Sequence, residues 1–247
     1  MHTYPADATL YFLADSHLSD TQPEINAAFI DALSALKDSP PDALYILGDL
    51  FDYWLGDDLA NPYQQEIAAK IAELAAYCPI YYQHGNRDFL LGEAFAACCS
   101  MSLLPEREVI EAGKERILIE HGDLLCLDDV GYQRLRRVLR SKITQGLYRL
   151  LPKRAKQSIG ARLRQESRER GALKPEQITD VQSQAVHDTM RDYGVTTLIH
   201  GHTHRCASHK EEKGMRYVLG DWHPCGMMLR YANNHMSFVS SNQLRNC

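Results

Sequence analysis

Tyr45-Ile46-Leu47-Gly48-Asp49-Leu50-Phe51-Asp52 is a short apolar run that stops at glycine and sets a carboxylate at its tip. Alone the pattern is common among buried strands. Four other runs in this chain end the same way. Residues 9–14 stop at Asp15-Ser16-His17, and residues 79–82 at His84-Gly85-Asn86-Arg87-Asp88. Residues 116–120 stop at His121-Gly122-Asp123, and residues 196–199 at His200-Gly201-His202-Thr203-His204. Five apolar runs thus each deliver Asp, Asn or His at the C-terminal end. Asp49 reads as the central carboxylate of the resulting cluster, shared between two metal ions.

The runs are too continuously apolar for half-exposed strands and suit strands covered on both faces. Between them the spacing predicts helices over 23–36, with Ile25, Phe29, Leu33 and Leu36 on one stripe, over 62–77, and over 177–193. Short strands are expected at 217–219, 227–231 and 236–239, with Asn233-Asn234 as a turn. Strand–helix alternation argues for an α/β sheet, and the tail for antiparallel strands beside it. The apolar fraction of 45% and charged fraction of 24% are those of a globular protein. No stretch approaches about 18 uncharged apolar residues, so no spanning helix is expected. The start shows no basic segment leading into an apolar one, so no secretory signal is expected. The seven cysteines have no zinc-type spacing and read as reduced thiols.

The net charge of −5 is unevenly distributed. Residues 134–170 hold 13 Lys or Arg against two acids, Glu166 and Glu169. Leu135, Val138, Leu139, Ile143, Leu147, Leu150 and Leu151 recur there at near-helical spacing. Such a stretch suits an anionic membrane, nucleic acid or a phosphorylated ligand, or is simply a solvated helical insertion.

The candidate metal ligands are Asp15, His17, Asp49, Asn86, His121, His202 and His204. Seven are too many for one ion and suit two ions bridged by one carboxylate. Oxygen and imidazole donors without cysteine fit Mn(II), with Fe(II) or Zn(II) as alternatives. Two such ions can generate hydroxide at neutral pH and clamp the oxygens of a phosphoryl displacement.

In this order Asp-x-His, Gly-Asp, Gly-Asn-x-Asp, His-Gly-Asp and Gly-His-x-His resemble the five blocks of the calcineurin-like metallophosphoesterases. That resemblance implies a two-sheet α/β sandwich flanked by helices, with the dimetal site at the strand ends. It implies one ion on Asp15, His17, Asp49 and His204, and the other on Asp49, Asn86, His121 and His202. One departure is informative. The superfamily usually has His where this chain has Arg87, as the acid that protonates an alkoxide leaving group. Arg does not give up its proton at working pH. A phosphate released from a pyrophosphate needs none, because its second pKa is about 6.

Longer blocks, Gly-Asp-Leu-Phe-Asp-Tyr-Trp-Leu-Gly-Asp-Asp from Gly48 and His-Gly-Asn-Arg-Asp-Phe-Leu-Leu-Gly from His84, resemble one family within that superfamily, the UDP-2,3-diacylglucosamine diphosphatases of lipid A synthesis. That resemblance implies hydroxide attack at the uridylyl phosphorus, two Mn(II) ions, and a peripheral place on the cytoplasmic face of the inner membrane. It implies a metallophosphoesterase core over 1–128 and 176–247, with an inserted basic helical cap over 129–175 that meets anionic lipid. Asn86, Arg87 and His202 carry over as catalytic residues. Asn86, Arg87, Asp129, Ser167, Lys174 and His202 carry over as substrate contacts, while a contact that is usually Asn falls at Gly171. Trp54 reads as core or, with Phe89, as a wall for acyl chains. The expected partner is the UDP-diacylglucosamine lipid. No nucleic acid is expected, since Tyr148 is the only aromatic residue in 134–170, and a monomer is expected. The alternative is another dimetal phosphodiesterase or a nuclease of the same superfamily. A scaffold that has lost catalysis is disfavoured by the complete ligand set.

Overall fold

The structure is a computed structural model that describes residues 2–171, 180–223 and 226–246. Two six-stranded sheets face each other. The first has the order β12-β11-β2-β3-β4-β5, from β2 (Leu10–Leu13), β3 (Ala43–Leu47), β4 (Ile80–Gln83), β5 (Met101–Leu103), β11 (Met227–Ala232) and β12 (His235–Ser240). The second has the order β1-β6-β7-β8-β10-β9, from β1 (Thr3–Tyr4), β6 (Arg107–Ala112), β7 (Glu115–Glu120), β8 (Thr197–His200), β9 (Ala207–Glu211) and β10 (Gly214–Val218).

Alternation along the central strands explains their unbroken apolarity. Leu10, Phe12, Ala43, Tyr45 and Leu47 point between the sheets, where they meet Ile117, Ile119 and Ile199. Tyr11, Leu13, Leu44 and Ile46 point outward, under α1 (Pro23–Asp38), α2 (Pro62–Ala75) and α3 (Glu93–Cys98). The outer face of the second sheet packs Leu118 and Leu198 on α7 (Ser183–Tyr193). Both faces of each central strand are therefore dry. Local signals agree with the helices. Asn61 and Gln64 form a reciprocal capping box at the start of α2, and Gly194 closes α7 in the left-handed region. Phe29 of α1 is fully buried, its ring 5.2 Å from that of Trp222. Phe29→Ala should cost about 3–5 kcal/mol, read as a lower urea midpoint with an unchanged slope.

Parallel register sets the site. Leu13 pairs with Ile46 and Leu47 with Gln83, so the chain leaves β2, β3 and β4 at one level. Ile119 pairs with Ile199, which brings His121 beside Gly201.

Some expectations need correction. Of residues 217–219, Tyr217 and Val218 end β10 and Leu219 lies just beyond it; β10 runs parallel to β8 in the second sheet rather than beside the other tail strands. Strands β5, β6 and β9 were not foreseen, because β5 is short and β6 and β9 are rich in charged or exposed residues. The helix expected over 177–193 begins at Ser183, and its first residues lie outside the described ones.

The basic segment forms α4 (Val130–Leu139), α5 (Lys142–Arg149) and α6 (Lys153–Gly171). Its charge does not all face outward. The Arg136 guanidinium donates to Asp123 at 2.6 Å and to Glu106 at 2.8 Å. Arg140 donates to Glu106 and to the Gly85 carbonyl, both at 2.6 Å. Lys156 is buried on Asp58 at 3.0 Å. The apolar residues of α5 lie open: Ile143 is 77% exposed, and Leu150 just beyond the helix is 83% exposed.

Candidate dimetal site

Asp15, His17, Asp49, His202 and His204 all have positive φ, between 44° and 71°. Among the described residues only eight non-glycine residues do, so five of those strained positions lie in the candidate ligand set. Strain of this kind clusters at functional sites and persists where the surroundings over-determine it. Glycine permits the close approach of the loops. A Cβ on Gly48, whose φ is +89°, would lie 2.4 Å from the Gly85 nitrogen, and one on Gly85 would lie 2.1 Å from Asp49 Oδ1.

The seven residues converge. His204 Nε2 lies 3.1 Å from His17 Nε2 and 3.4 Å from Asp15 Oδ1. Asn86 Oδ1 lies 3.0 Å from His121 Nε2 and 2.9 Å from His202 Nδ1. Asp49 stands between these two groups, its Oδ2 4.0 Å from His17 Nδ1 and 3.9 Å from His121 Nε2. Asp15, His17 and His204 form one set of donors close enough for a single cation, and Asp15, Asp49 and His121 another.

The donor chemistry fits divalent cations. Asp15 Oδ1 and His17 Nδ1 are buried without a hydrogen-bond partner, a costly arrangement unless something else satisfies them. Burial holds His17 neutral, its pKa pushed down to about 3, and His202 likewise, down to about 4. Neutral imidazole is the ligating form. Burial also acts downward on His121 and His204, but Asp49 and Asp15 around the first and Asp15 beside the second raise both. The His121 Nδ1–H donates to the Leu47 carbonyl at 2.8 Å, which leaves Nε2 facing Asn86 and Asp49.

Two buttresses were not foreseen. The Asp88 carboxylate accepts from the backbone N–H groups of Leu50 at 2.7 Å, Gly85 at 2.9 Å and Asp49 at 3.3 Å, and so ties two ligand loops together. Asp221 Oδ2 lies 3.7 Å from His204 Nδ1. Both are carboxylates near ligand loops, but only the fold says what they touch.

Arg87 sits at the rim, its side chain 38% exposed. Its backbone N–H donates to Asp49 Oδ1 at 2.8 Å, its Nε lies 3.6 Å from Asp49 Oδ2, and its Nη1–H donates to Asp52 at 3.1 Å. Phe89 is half-buried under the Arg140 guanidinium, 5.7 Å from ring centre. Asp129 caps α4 by accepting from the Tyr132 N–H. Trp54 is a correction. It is 3% exposed, stacked on Phe51 and packed on Phe95, with its indole N–H on Asp57, and it presents no face to an acyl chain. Lys174 lies outside the described residues, as does the side chain of Ser167, and Gly171 ends α6 with no side chain to offer.

The family profile described as calcineurin-like phosphoesterase matches residues 8–206. A UDP-2,3-diacylglucosamine hydrolase of Pectobacterium carotovorum subsp. carotovorum (strain PC1) is 44% identical, covering 94% of this chain and 98% of its own. The protein of that name from Escherichia coli O7:K1 is also 44% identical, with the same coverage. The one from Pseudomonas fluorescens (strain SBW25) is 42% identical over 90% of both chains. Among solved structures, a phosphoesterase from E. coli superposes with a TM-score of 0.50 at 14% identity, covering 96% of this chain and 94% of that one. A mutant cold-active protein tyrosine phosphatase gives 0.51 at 13%, covering 98% and 80%. At such identities these two structures speak for the fold alone.

Proposed function

Because the chain belongs to the calcineurin-like phosphoesterase family, we propose that this hydrolase cleaves the pyrophosphate of UDP-2,3-diacylglucosamine to UMP and 2,3-diacylglucosamine 1-phosphate. The observation that carries the substrate is the 42–44% identity to hydrolases of that name over nine-tenths or more of both chains. The position of Arg87 supports the bond type. A guanidinium beside Asp49 can neutralise charge on phosphate oxygens but cannot protonate an alkoxide.

Asp15, His17, Asp49 and His204 would hold one divalent ion, and Asp49, Asn86, His121 and His202 the other; we assign both as Mn(II) from the oxygen and imidazole donors. When bound, such ions supply Lewis acidity and a water acidic enough to act as nucleophile near neutral pH. The chain's own residues then orient the substrate. Arg87 faces the pyrophosphate from the rim and needs no proton transfer, since the departing phosphate is stable as an anion. Attack is proposed at the uridylyl phosphorus. Asp129, Ser167 and Lys174 are proposed substrate contacts, and Phe89 a wall for acyl chains. Helices α4–α6 serve as the cap. Their exposed cations and the open apolar residues Ile143, Leu147 and Leu150 suit a peripheral seat on anionic lipid. No helix among the described residues is long and apolar enough to cross a membrane.

The test is UMP release from UDP-2,3-diacylglucosamine in detergent micelles after chelation, with and without added Mn(II). Release that returns with Mn(II) is the expected result. No release from folded protein carrying two ions would overturn the substrate and leave the phosphoesterase to be tried on other phosphodiesters.

A further inference from the structure

His200, the last residue of β8, is fully buried and belongs to none of the ligand groups above. Its Nδ1 lies 2.8 Å from the Gly201 carbonyl. A carbonyl only accepts, so Nδ1 carries the proton and Nε2 is left as an acceptor. Arg216 of β10 meets it with an Nη1–H at 3.3 Å. The same guanidinium donates through Nε to Glu211 Oε1 at 2.7 Å, and the other Glu211 oxygen accepts from His187 of α7 at 3.1 Å. The chain of contacts is self-consistent only with the Nδ1–H tautomer.

The Gly201 peptide lies where three ligand loops touch. Its N–H donates to the His121 carbonyl at 2.8 Å, and its carbonyl accepts from Thr203 at 2.9 Å. A Cβ there would fall 2.4 Å from Asp15 Oδ2. The next N–H, of His202, donates to that same oxygen at 2.7 Å. Beyond it, His202 and His204 are held in the left-handed region at φ 71° and 58°. A strained loop needs fixed anchors, and the buried imidazole is one of them.

We propose that His200 is a positioning residue: its Nδ1–H holds the Gly201 carbonyl and so the aim of His202 and His204, while Arg216 and Glu211 fix its tautomer. This rests on the metal reading above. It assigns to these residues an effect on metal affinity rather than contact with substrate.

The test is Mn(II) stoichiometry and affinity of metal-stripped protein, read by competition with a chromophoric chelator. Asn places a donor N–H where Nδ1 stands. Gln reaches the Nε2 position and can accept from Arg216, but does not donate to Gly201. His200→Gln should bind at least one ion about 10–100-fold more weakly, the range expected when a ligand's support is removed. His200→Asn should stay within about threefold of wild type, because the contact to Gly201 survives. Equal affinities in the two variants, or a weaker Asn variant, would overturn the proposal. Arg216→Met keeps the test decisive if the Gln variant fails to fold. It should weaken binding about threefold or more through a loosened imidazole, and unchanged affinity there would overturn the proposal. Wild-type protein that takes up no divalent ion would overturn the metal reading itself, and this proposal with it.

Discussion

Asp49→Ala should abolish hydrolysis and empty the site of at least one of its two ions. Asp49 is the carboxylate that lies between the His17 side and the His121 side, about equally far from both. Metal ions contribute several kcal/mol to transition states of this kind, and each 1.4 kcal/mol is tenfold in rate, so the loss should be on the order of a thousandfold or more. Metal analysis of the purified variant should give one ion or none per chain. A variant that keeps two ions and more than a tenth of wild-type activity would remove Asp49 from the centre of the site. The loss should not reflect unfolding. Burial, with Asp88 and Asp15 adding to it, disfavours the charged form of this carboxylate, against the pull of His121 and Arg87. Removing it relieves that penalty, which offsets the loss of the acceptor for the Arg87 N–H, and wild type should gain more in melting temperature from added Mn(II) than the variant, since only binding to the folded state stabilises.

Why so much of this site is legible in the sequence follows from the strands. Each ligand follows an apolar run buried on both faces, and parallel register needs only that the runs end together. The glycines after Leu47, His84 and His200 are visible for the same reason, because another loop occupies the space of their missing Cβ atoms. What could not be read depends on partners far away in the chain. Asp88 looks like one more polar loop residue, yet it accepts three backbone N–H groups from two loops. Arg136 and Arg140 look like members of a solvated basic run, yet they reach Asp123 and the Gly85 carbonyl, beside His121 and Asn86. Trp54 stood between core and pocket because its chemistry suits both, and only the rings of Phe51 and Phe95 decide it. Edge strand β9 has no apolar signal because most of its side chains are exposed.

Those two arginines also bear on how Arg87 acts. Arg140 donates to the carbonyl just before Asn86, and Asp88 accepts from the N–H of Gly85, so the turn carrying Asn86 and Arg87 is pinned from both sides. The Arg87 backbone N–H that donates to Asp49 stays in any variant other than proline. A side-chain replacement therefore tests the guanidinium and leaves the ligand loop intact. Arg87→Ala should retain two ions and lose about 10²–10³-fold in kcat, the usual cost of removing one preorganised donor to developing negative charge. Arg87→Lys should recover only part of this, since an ammonium lacks the planar fork. Arg87→His is the discriminating variant. If the leaving phosphate needs no proton, His restores little on the pyrophosphate. The same His should improve turnover of a phosphodiester with an alkoxide leaving group, because that group does need a proton. Full pyrophosphatase activity in Arg87→Ala would show that the guanidinium only decorates the rim. Rescue of pyrophosphate cleavage by His would show that the reaction needs an acid after all.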